Sequence, residues 1–450
     1  MNTHWIPREI EGWGRYPVVD AMVARPERVS ELKAALDDRD GHSVLAHGLG
    51  RSYGDAATLR DGRVVLTRRL NRMLAFDPAT GWLRCEAGVS LKEIIDTFLP
   101  RGFFPPVVPG TQFVTVGGAL GCNIHGKNHH IDGCWGDHVR NVEVLTAEGQ
   151  IVVCDRTQNA ELFWATCGGM GMTGLILSME VQLISVANGS IQMESIRVNN
   201  LDEFFDVSSE SADFTHTVSW IDCVKTGKNM GRGIFMRGRH ADAGVKASPG
   251  PLDRIANTFQ TLVDGRPFES NLLLNRATIT LFNEAFFRKT PAGLTPSVVD
   301  YVPFFFPLDA VDHWNYVYGS RGFLQYQMVV PSREAVREIL EIISNSGMAS
   351  FLAVIKEFGD QDHGGLSFPK EGITSGARFR TSVHLCSRCS TALTMLHRVC
   401  RRTFVKDPNY RARTSARCIR SGRSGAVRDA WDPEHVFQSD LGRRLGLCGE

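Results

Sequence analysis

Three glycine-rich tracts, each joined to a β-type run, constrain this chain more than any other feature. The apolar run 43–47 leads straight into Gly48-Leu49-Gly50-Arg51-Ser52-Tyr53-Gly54. A second tract covers 109–136, with seven glycines in 28 residues. The third, Cys167-Gly168-Gly169-Met170-Gly171-Met172-Thr173-Gly174, runs into a strand-like segment over 175–183. Glycine permits positive φ and lets backbone approach a ligand with no Cβ between them. Successive exposed N–H groups in such turns form concave anion sites without basic side chains. Taken together, the tracts point to a pyrophosphate-bearing cofactor; any one alone reads equally well as a tight turn. The first lacks the last glycine of G-x-G-x-x-G, and no G-x-x-x-x-G-K-[ST] loop is present, so neither common nucleotide motif fits.

Around the tracts, short strands alternate with amphipathic helices up to about residue 185. Residues 18–24 read as a strand, and Arg25-Pro26 opens a helix with Val29, Leu32, Ala35 and Leu36 on one apolar face. Ser90-Leu91-Lys92-Glu93 is a capping box that starts a helix burying Ile94, Ile95 and Phe98. Beyond Val186 glycines thin out and aromatics rise. Phe304 to Phe306, Trp314, Tyr316, Tyr318, Phe323 and Tyr326 suggest a second domain with its own aromatic floor. A length of 450 residues fits two or three domains, since single cores stop growing near ~250–300 residues.

Charge is spread unevenly. The whole chain carries 50 Lys and Arg against 49 Asp and Glu. Residues 375–425 alone hold 11 Arg, one Lys and one Asp, a net of +11, which leaves −10 for the rest. Nucleic-acid binding is not expected from this basic stretch. It has few interleaved aromatics and no recognisable module. Cys386-Ser-Arg-Cys389 has metal-ligand spacing, but no second pair completes a site, so no metal is predicted. Eleven cysteines without a signal-peptide pattern predict reduced thiols and a cytoplasmic or peripheral inner-membrane location.

The order GRSYGD, then PGT…TVGGA…IHGKNHH, then FWA…GGMGMTG resembles the flavin-binding family of the vanillyl-alcohol oxidase type. Within it, the chain is similar to the decaprenylphosphoryl-ribose 2′-oxidase family. The resemblance covers roughly residues 17–373 and resumes over 426–447. It implies an α+β, two-domain flavin oxidase: an FAD-binding domain over 1–185 and a substrate domain built on an antiparallel sheet over 186–400. Residues 401–450 would return to the FAD-binding domain.

It also implies FAD held by Gly48, Leu49, Gly50, Arg51, Ser52, Tyr53 and Gly54, by Thr115, Val116, Gly117 and Gly118, and by Asn123, His125, Gly126, Gly171 and Thr173. Related sugar oxidases commonly bond the flavin covalently through a His in the first loop. Arg51-Ser52-Tyr53 has none, so the FAD is expected to be non-covalent. Lys127, His125 and a C-terminal Lys, placed weakly at Lys406, are the implied catalytic residues. Gln325, Gln327, Lys356 and Trp220 are the implied substrate residues. The first two alternate along a predicted strand and share one face. For Trp220 a plain core role is equally open.

The implied reaction oxidises the 2′-hydroxyl of a polyprenylphosphoryl-β-D-ribose to a 2′-keto sugar. A separate NAD(P)H-dependent keto-reductase would complete epimerisation to the arabinose donor, and peripheral membrane contact would bring the lipid substrate. A soluble sugar, alditol or aldonolactone oxidase, and a catalytically impaired flavoprotein, are the alternatives. The last arises because residues 375–425 depart from the family pattern, showing no amphipathic period. The sharp edges of this Arg-, Ser- and Cys-rich segment suggest two compensating frame slips.

Overall fold

A computed structural model describes residues 3–247, 274–346, 349–360, 366–380 and 423–447. The N-terminal part contains two sheets. In the first, β1 (Ile6–Glu11) and β2 (Val18–Ala24) form an antiparallel pair, and β3 (Val44–His47) and β4 (Arg63–Leu66) add in parallel, in the order β1-β2-β4-β3. The second is antiparallel, with β5 (Met73–Asp77), β6 (Trp82–Glu86), β8 (Val139–Leu145), β9 (Ile151–Cys154) and β10 (Leu175–Gln182) in the order β5-β6-β10-β8-β9. A small ladder joins β7 (Phe103–Phe104) to β11 (Ile184–Ser185).

The predicted local signals appear close to where the sequence put them. The first helix, Val29–Asp37, buries Leu32, Ala35 and Leu36 as expected, but it opens after Arg28 rather than at Arg25-Pro26, and Val29 is only half-buried. Ser90 caps Leu91–Phe98, its side chain accepting from the Glu93 N–H while the Glu93 carboxylate accepts from the Ser90 N–H. Such reciprocal caps are worth on the order of 1 kcal/mol.

A seven-stranded antiparallel sheet follows, in the order β15-β12-β14-β13-β17-β18-β16. Its strands are β12 (Ser190–Val198), β13 (His216–Ile221), β14 (Gly233–His240), β15 (Leu294–Asp300), β16 (Phe323–Val330), β17 (Ala353–Phe358) and β18 (Gly372–Arg380). Ile221, Phe235, Ile355, Ala377 and Met328 point to the face covered by helices Leu201–Ser209 and Arg333–Asn345, in one cluster with Phe204, Phe205, Val336, Ile339 and Leu340. The opposite face carries Lys356, Gln327 and Gln325, because strand side chains alternate.

Two expectations need correction. Phe304, Phe305 and Phe306 do not floor a separate domain. They join the core cluster that holds Phe104, Trp135 and Ile94, with Phe305 stacked on Phe104 at 5.6 Å between ring centroids. Trp314, Tyr318 and Phe323 do form a cluster apart, which also takes in Trp13 and Tyr53. The second correction concerns residues 375–380, which keep a strand period. Ser375, Ala377 and Phe379 are buried, and β18 pairs in register with β16 on one side and β17 on the other. Six residues of alternation inside an Arg-rich run are too short to stand out in sequence. Lys406 and the rest of the basic stretch, 381–422, lie outside the described residues.

After the basic stretch, the C-terminal segment packs on the first sheet. Val44 N–H donates to the Val436 carbonyl, and Gln438 N–H donates to that of Val44. Arg444 pairs with Asp55 at 2.6 Å. Buried Asp432 accepts from the N–H groups of Val436 and Phe437 at 2.7 and 2.8 Å. Among the described residues, no helix is long and apolar enough to cross a membrane.

Candidate active site

The fold brings the three glycine tracts into contact. A Cβ on Gly48 would lie 2.5 Å from Thr115 Oγ1, so the first and second tracts touch where only a glycine fits. Gly50 and Gly54 adopt φ of 63° and 67°, a region that a side chain penalises. Gly117 is equally tight, since a Cβ there would meet the Ala87 Cβ at 2.9 Å and its carbonyl at 3.0 Å. Thr115 caps the helix Val116–Gly121 by accepting from the Gly118 N–H at 3.1 Å. The third tract closes on the same helix, with Met170 N–H donating to Gly121 O and Gly168 N–H to Leu120 O.

Side chains lock the tracts from behind. Arg51 donates to the Leu49 carbonyl at 2.6 Å and lies 4.0 Å over the Trp13 ring. Buried Asn123 donates to Ser367 Oγ at 2.8 Å and accepts from the Gly136 N–H at 2.9 Å. Thr173 hydrogen-bonds Thr166, both buried. Gly171 takes φ 77°. The result is a cradle of close-set backbone, the kind of surface that accepts a pyrophosphate through N–H groups.

Beside the cradle stand two lysines. Lys356, on β17, places Nζ 3.0 Å from His125 Nδ1 and donates to the Gly126 carbonyl. Its ammonium lies 4.9 Å over Phe358, and the His125 ring packs on the same phenylalanine at 4.7 Å. Lys127 Nζ sits 5.7 Å over Phe304, and its carbonyl accepts from the Thr217 N–H of β13. Both lysines keep partial solvent contact. Their surroundings still desolvate the ammonium, which lowers the pKa of Lys127 to about 8 and that of Lys356 to about 7. For Lys356 the nearby charge of Lys127 adds to the effect of burial. Amines in this range gain and lose protons near neutral pH, as a general base must.

The residues expected on the substrate side have a common geometry. Lys356 pairs with Thr374 in register, Gln327 with Gly376 and Gln325 with Arg378, so all six lie on one face of three adjacent strands. Gln325 Nε2 donates to Gln327 Oε1 at 3.1 Å. Trp220 belongs to the same face further along, but it is buried against Ile234, Phe286 and Phe287, and its indole N–H donates to the Phe351 carbonyl. Arg378 was not anticipated. It donates from Nε to Gln325 Oε1 at 2.9 Å and from Nη2 to the Tyr53 hydroxyl at 3.2 Å, and it stacks near Trp314. The alternation Thr374, Gly376, Arg378 was the only signal for it.

Comparison with known proteins places this arrangement. Residues 21–155 match the FAD binding domain family model. The chain is 36% identical to a decaprenylphosphoryl-beta-D-ribose oxidase of Mycolicibacterium smegmatis, over 99% of this chain and all of that protein. This chain belongs to the decaprenylphosphoryl-β-D-ribose oxidase family. An uncharacterized Streptomyces coelicolor protein encoded in the mprA 5′ region is 30% identical over 80% of this chain and all of its own length. An L-gulonolactone oxidase of Bos taurus is 29% identical over only 39% of this chain and 40% of its own. Membership fixes FAD as the cofactor, an oxidoreductase activity, and the two-domain architecture of a vanillyl-alcohol-oxidase-type flavin enzyme. The cradle fits that cofactor. Its glycines lie where a Cβ would collide or where φ is positive, and they leave backbone bare.

Proposed function

We propose that this chain oxidises the 2′-hydroxyl of a polyprenylphosphoryl-β-D-ribose to the 2′-keto sugar, with dissociable FAD as hydride acceptor. The name of the full-length mycobacterial relative supplies the substrate. The observation that carries the chemistry is the lysine pair beside His125, Lys127 from the second tract and Lys356 on the same strand face as Gln325 and Gln327.

FAD, when bound, supplies the acceptor for the hydride. Backbone of residues 48–54 and 115–118, with Asn123, Gly126, Gly171 and Thr173, would hold it. Lys127 acts as base, taking the hydroxyl proton in its neutral form. Lys356 donates to Gly126 O and lies within hydrogen-bond reach of His125 Nδ1, so it positions the IHGK segment and, when protonated, adds positive charge near it. Gln325 and Gln327 orient the sugar. His47, the histidine nearest the first tract, is buried with Nδ1 on the Ala57 carbonyl, which supports a non-covalent cofactor.

The keto product calls for a separate NAD(P)H-dependent reductase to finish epimerisation. The lipid tail calls for peripheral contact with the membrane that supplies it, from the cytoplasmic side. Anaerobic mixing tests the substrate. Polyprenylphosphoryl-ribose should bleach the flavin absorbance, and free sugars, alditols and aldonolactones should leave it unchanged. Bleaching by the free polyols would favour the soluble sugar-oxidase reading. FAD that stays oxidised with every candidate would mark the chain as catalytically impaired.

A further inference from the structure

On the substrate face, a single line of hydrogen bonds runs back and forth between the paired strands β16 and β18 in one direction. Arg378 donates to Gln325 Oε1 at 2.9 Å, and Gln325 Nε2 donates to Gln327 Oε1 at 3.1 Å. Gln327 Nε2 points to Thr374 Oγ1 at 3.5 Å, and the Thr374 hydroxyl donates to the Met328 carbonyl at 2.9 Å. The two ends of this line have no choice of role. A guanidinium carries only donors, and a backbone carbonyl only accepts. A glutamine amide by contrast can turn over, exchanging its oxygen for its NH2 at almost no cost in shape.

Turning Gln325 over would set its NH2 against the guanidinium N–H of Arg378, and turning Gln327 over would set its NH2 against the NH2 of Gln325. The charged bond from Arg378 is the strong one, about twice a neutral bond. The 3.5 Å contact at the far end is at the limit of hydrogen bonding and contributes little. Orientation is therefore imposed from the Arg378 end. Among the described residues, no carboxylate forms an ion pair with Arg378, so nothing anionic competes for its donors there.

We infer that Arg378 determines substrate specificity by positioning. It fixes the amide orientation of Gln325 and Gln327, so that both present their remaining N–H donors to an oxygen-rich, anionic substrate. Through its second bond, to the Tyr53 hydroxyl, the same guanidinium ties the first glycine tract to the substrate sheet. The site then selects ligands whose facing groups are acceptors, such as the phosphodiester and ring oxygens of a sugar phosphate. This deepens the reading given under Proposed function and rests on it for the identity of the substrate.

The test uses the FAD-loaded full chain and Arg378→Met, which keeps much of the side-chain volume and removes every donor. In anaerobic flavin reduction by polyprenylphosphoryl-ribose, half-saturation should rise about 10-fold. The limiting rate should stay within about 3-fold and the FAD content should not change. In Arg378→Lys, which restores one charged donor, part of the loss should be recovered. Nitrogen-15 labelling of glutamine gives a readout that needs no turnover. The Nε2H2 signals of Gln325 and Gln327, assigned by Gln→Glu variants, should each be split into two well-separated protons in the parent. In Arg378→Met they should collapse toward the values of solvent-exposed amides.

Half-saturation within twofold of the parent overturns the specificity role. Unchanged amide signals overturn the imposed orientation. If the parent's flavin is not reduced by the sugar phosphate at all, the substrate assignment falls, while the amide signals still decide the role of Arg378.

Discussion

Around Gly48 and Gly117, geometry is carried by backbone pressed against backbone or a short side chain. Around Lys356 and Gln325, it is carried by long side chains reaching across strands. At Gly48, Gly117 and Gly126 the cradle tolerates almost no added atom, since a neighbour already lies within 3 Å of where a Cβ would go. The strand face has rotamers and protons to rearrange. On the proposed reading, binding the cofactor and processing the substrate fall to parts of the molecule that fail in different ways, and single substitutions should separate them.

The largest expected effect belongs to the face of the reaction. Lys127→Met removes the amine proposed to take the hydroxyl proton, and should slow flavin reduction by about 10²- to 10⁴-fold, the usual worth of a positioned base. FAD content, read from the ratio of visible to ultraviolet absorbance, should stay at the parent level. Loss of the flavin instead would move Lys127 from the chemistry to the cradle.

Next comes the cradle itself. Gly117→Val places a branched side chain where Ala87 leaves no room, and overpacking of this kind costs about 1–3 kcal/mol. FAD binding should weaken by roughly 5- to 150-fold at that cost, with the enzyme reduced at a near-normal rate once saturated with FAD. A variant that keeps its FAD but loses turnover would break the division between the two regions.

A smaller effect is expected from pH. Lys127 and Lys356 carry pKa values lowered to about 8 and about 7 by burial. The base acts in its neutral form, which predominates above its pKa. With Lys127 as the base, the reduction rate should therefore climb as pH rises through about 8 and level off about a unit above, and Lys356→Met should alter the midpoint of that curve. A rate that falls as pH rises through that window contradicts a lysine base.

Smallest is Gln327→Ala, which removes one neutral hydrogen-bonding side chain. Net, such a bond is worth about 1 kcal/mol, or about 5-fold in half-saturation. FAD retention and the limiting rate should not change.

The same contrast explains what could be read from the sequence. The cradle was legible because its requirement is local. A glycine at positive φ, or one facing a close neighbour, leaves its mark at one position, and Gly48, Gly50 and Gly117 stand inside short contiguous motifs. The strand face was legible only in part. Gln325 and Gln327 reveal their shared side by alternation within one strand. The contact of Lys356 with His125 joins positions 231 residues apart, and that of Arg378 with Tyr53 spans 325, separations that no periodicity encodes. The phenylalanine run 304–306 misled for a related reason. Its apolar character predicts burial, but which core receives it depends on Phe104, far back in the chain.

The basic stretch marks a different boundary. Its departure from the family pattern was placed at Ser375, yet strand pairing persists through Arg380. We propose that any frame slip lies beyond that point. Re-reading the nucleotides for 381–422 should then restore apolar periodicity and acidic residues, and finding the same frame throughout would remove the slip.

The most direct test of the account is anaerobic single-turnover reduction with polyprenylphosphoryl-ribose carrying deuterium at C2′. The flavin should bleach, deuterium should clearly slow the bleaching, and the recovered sugar phosphate should be a 2′-ketone. Bleaching that is indifferent to the label, or that occurs only with sugars lacking the lipid phosphate, would contradict it.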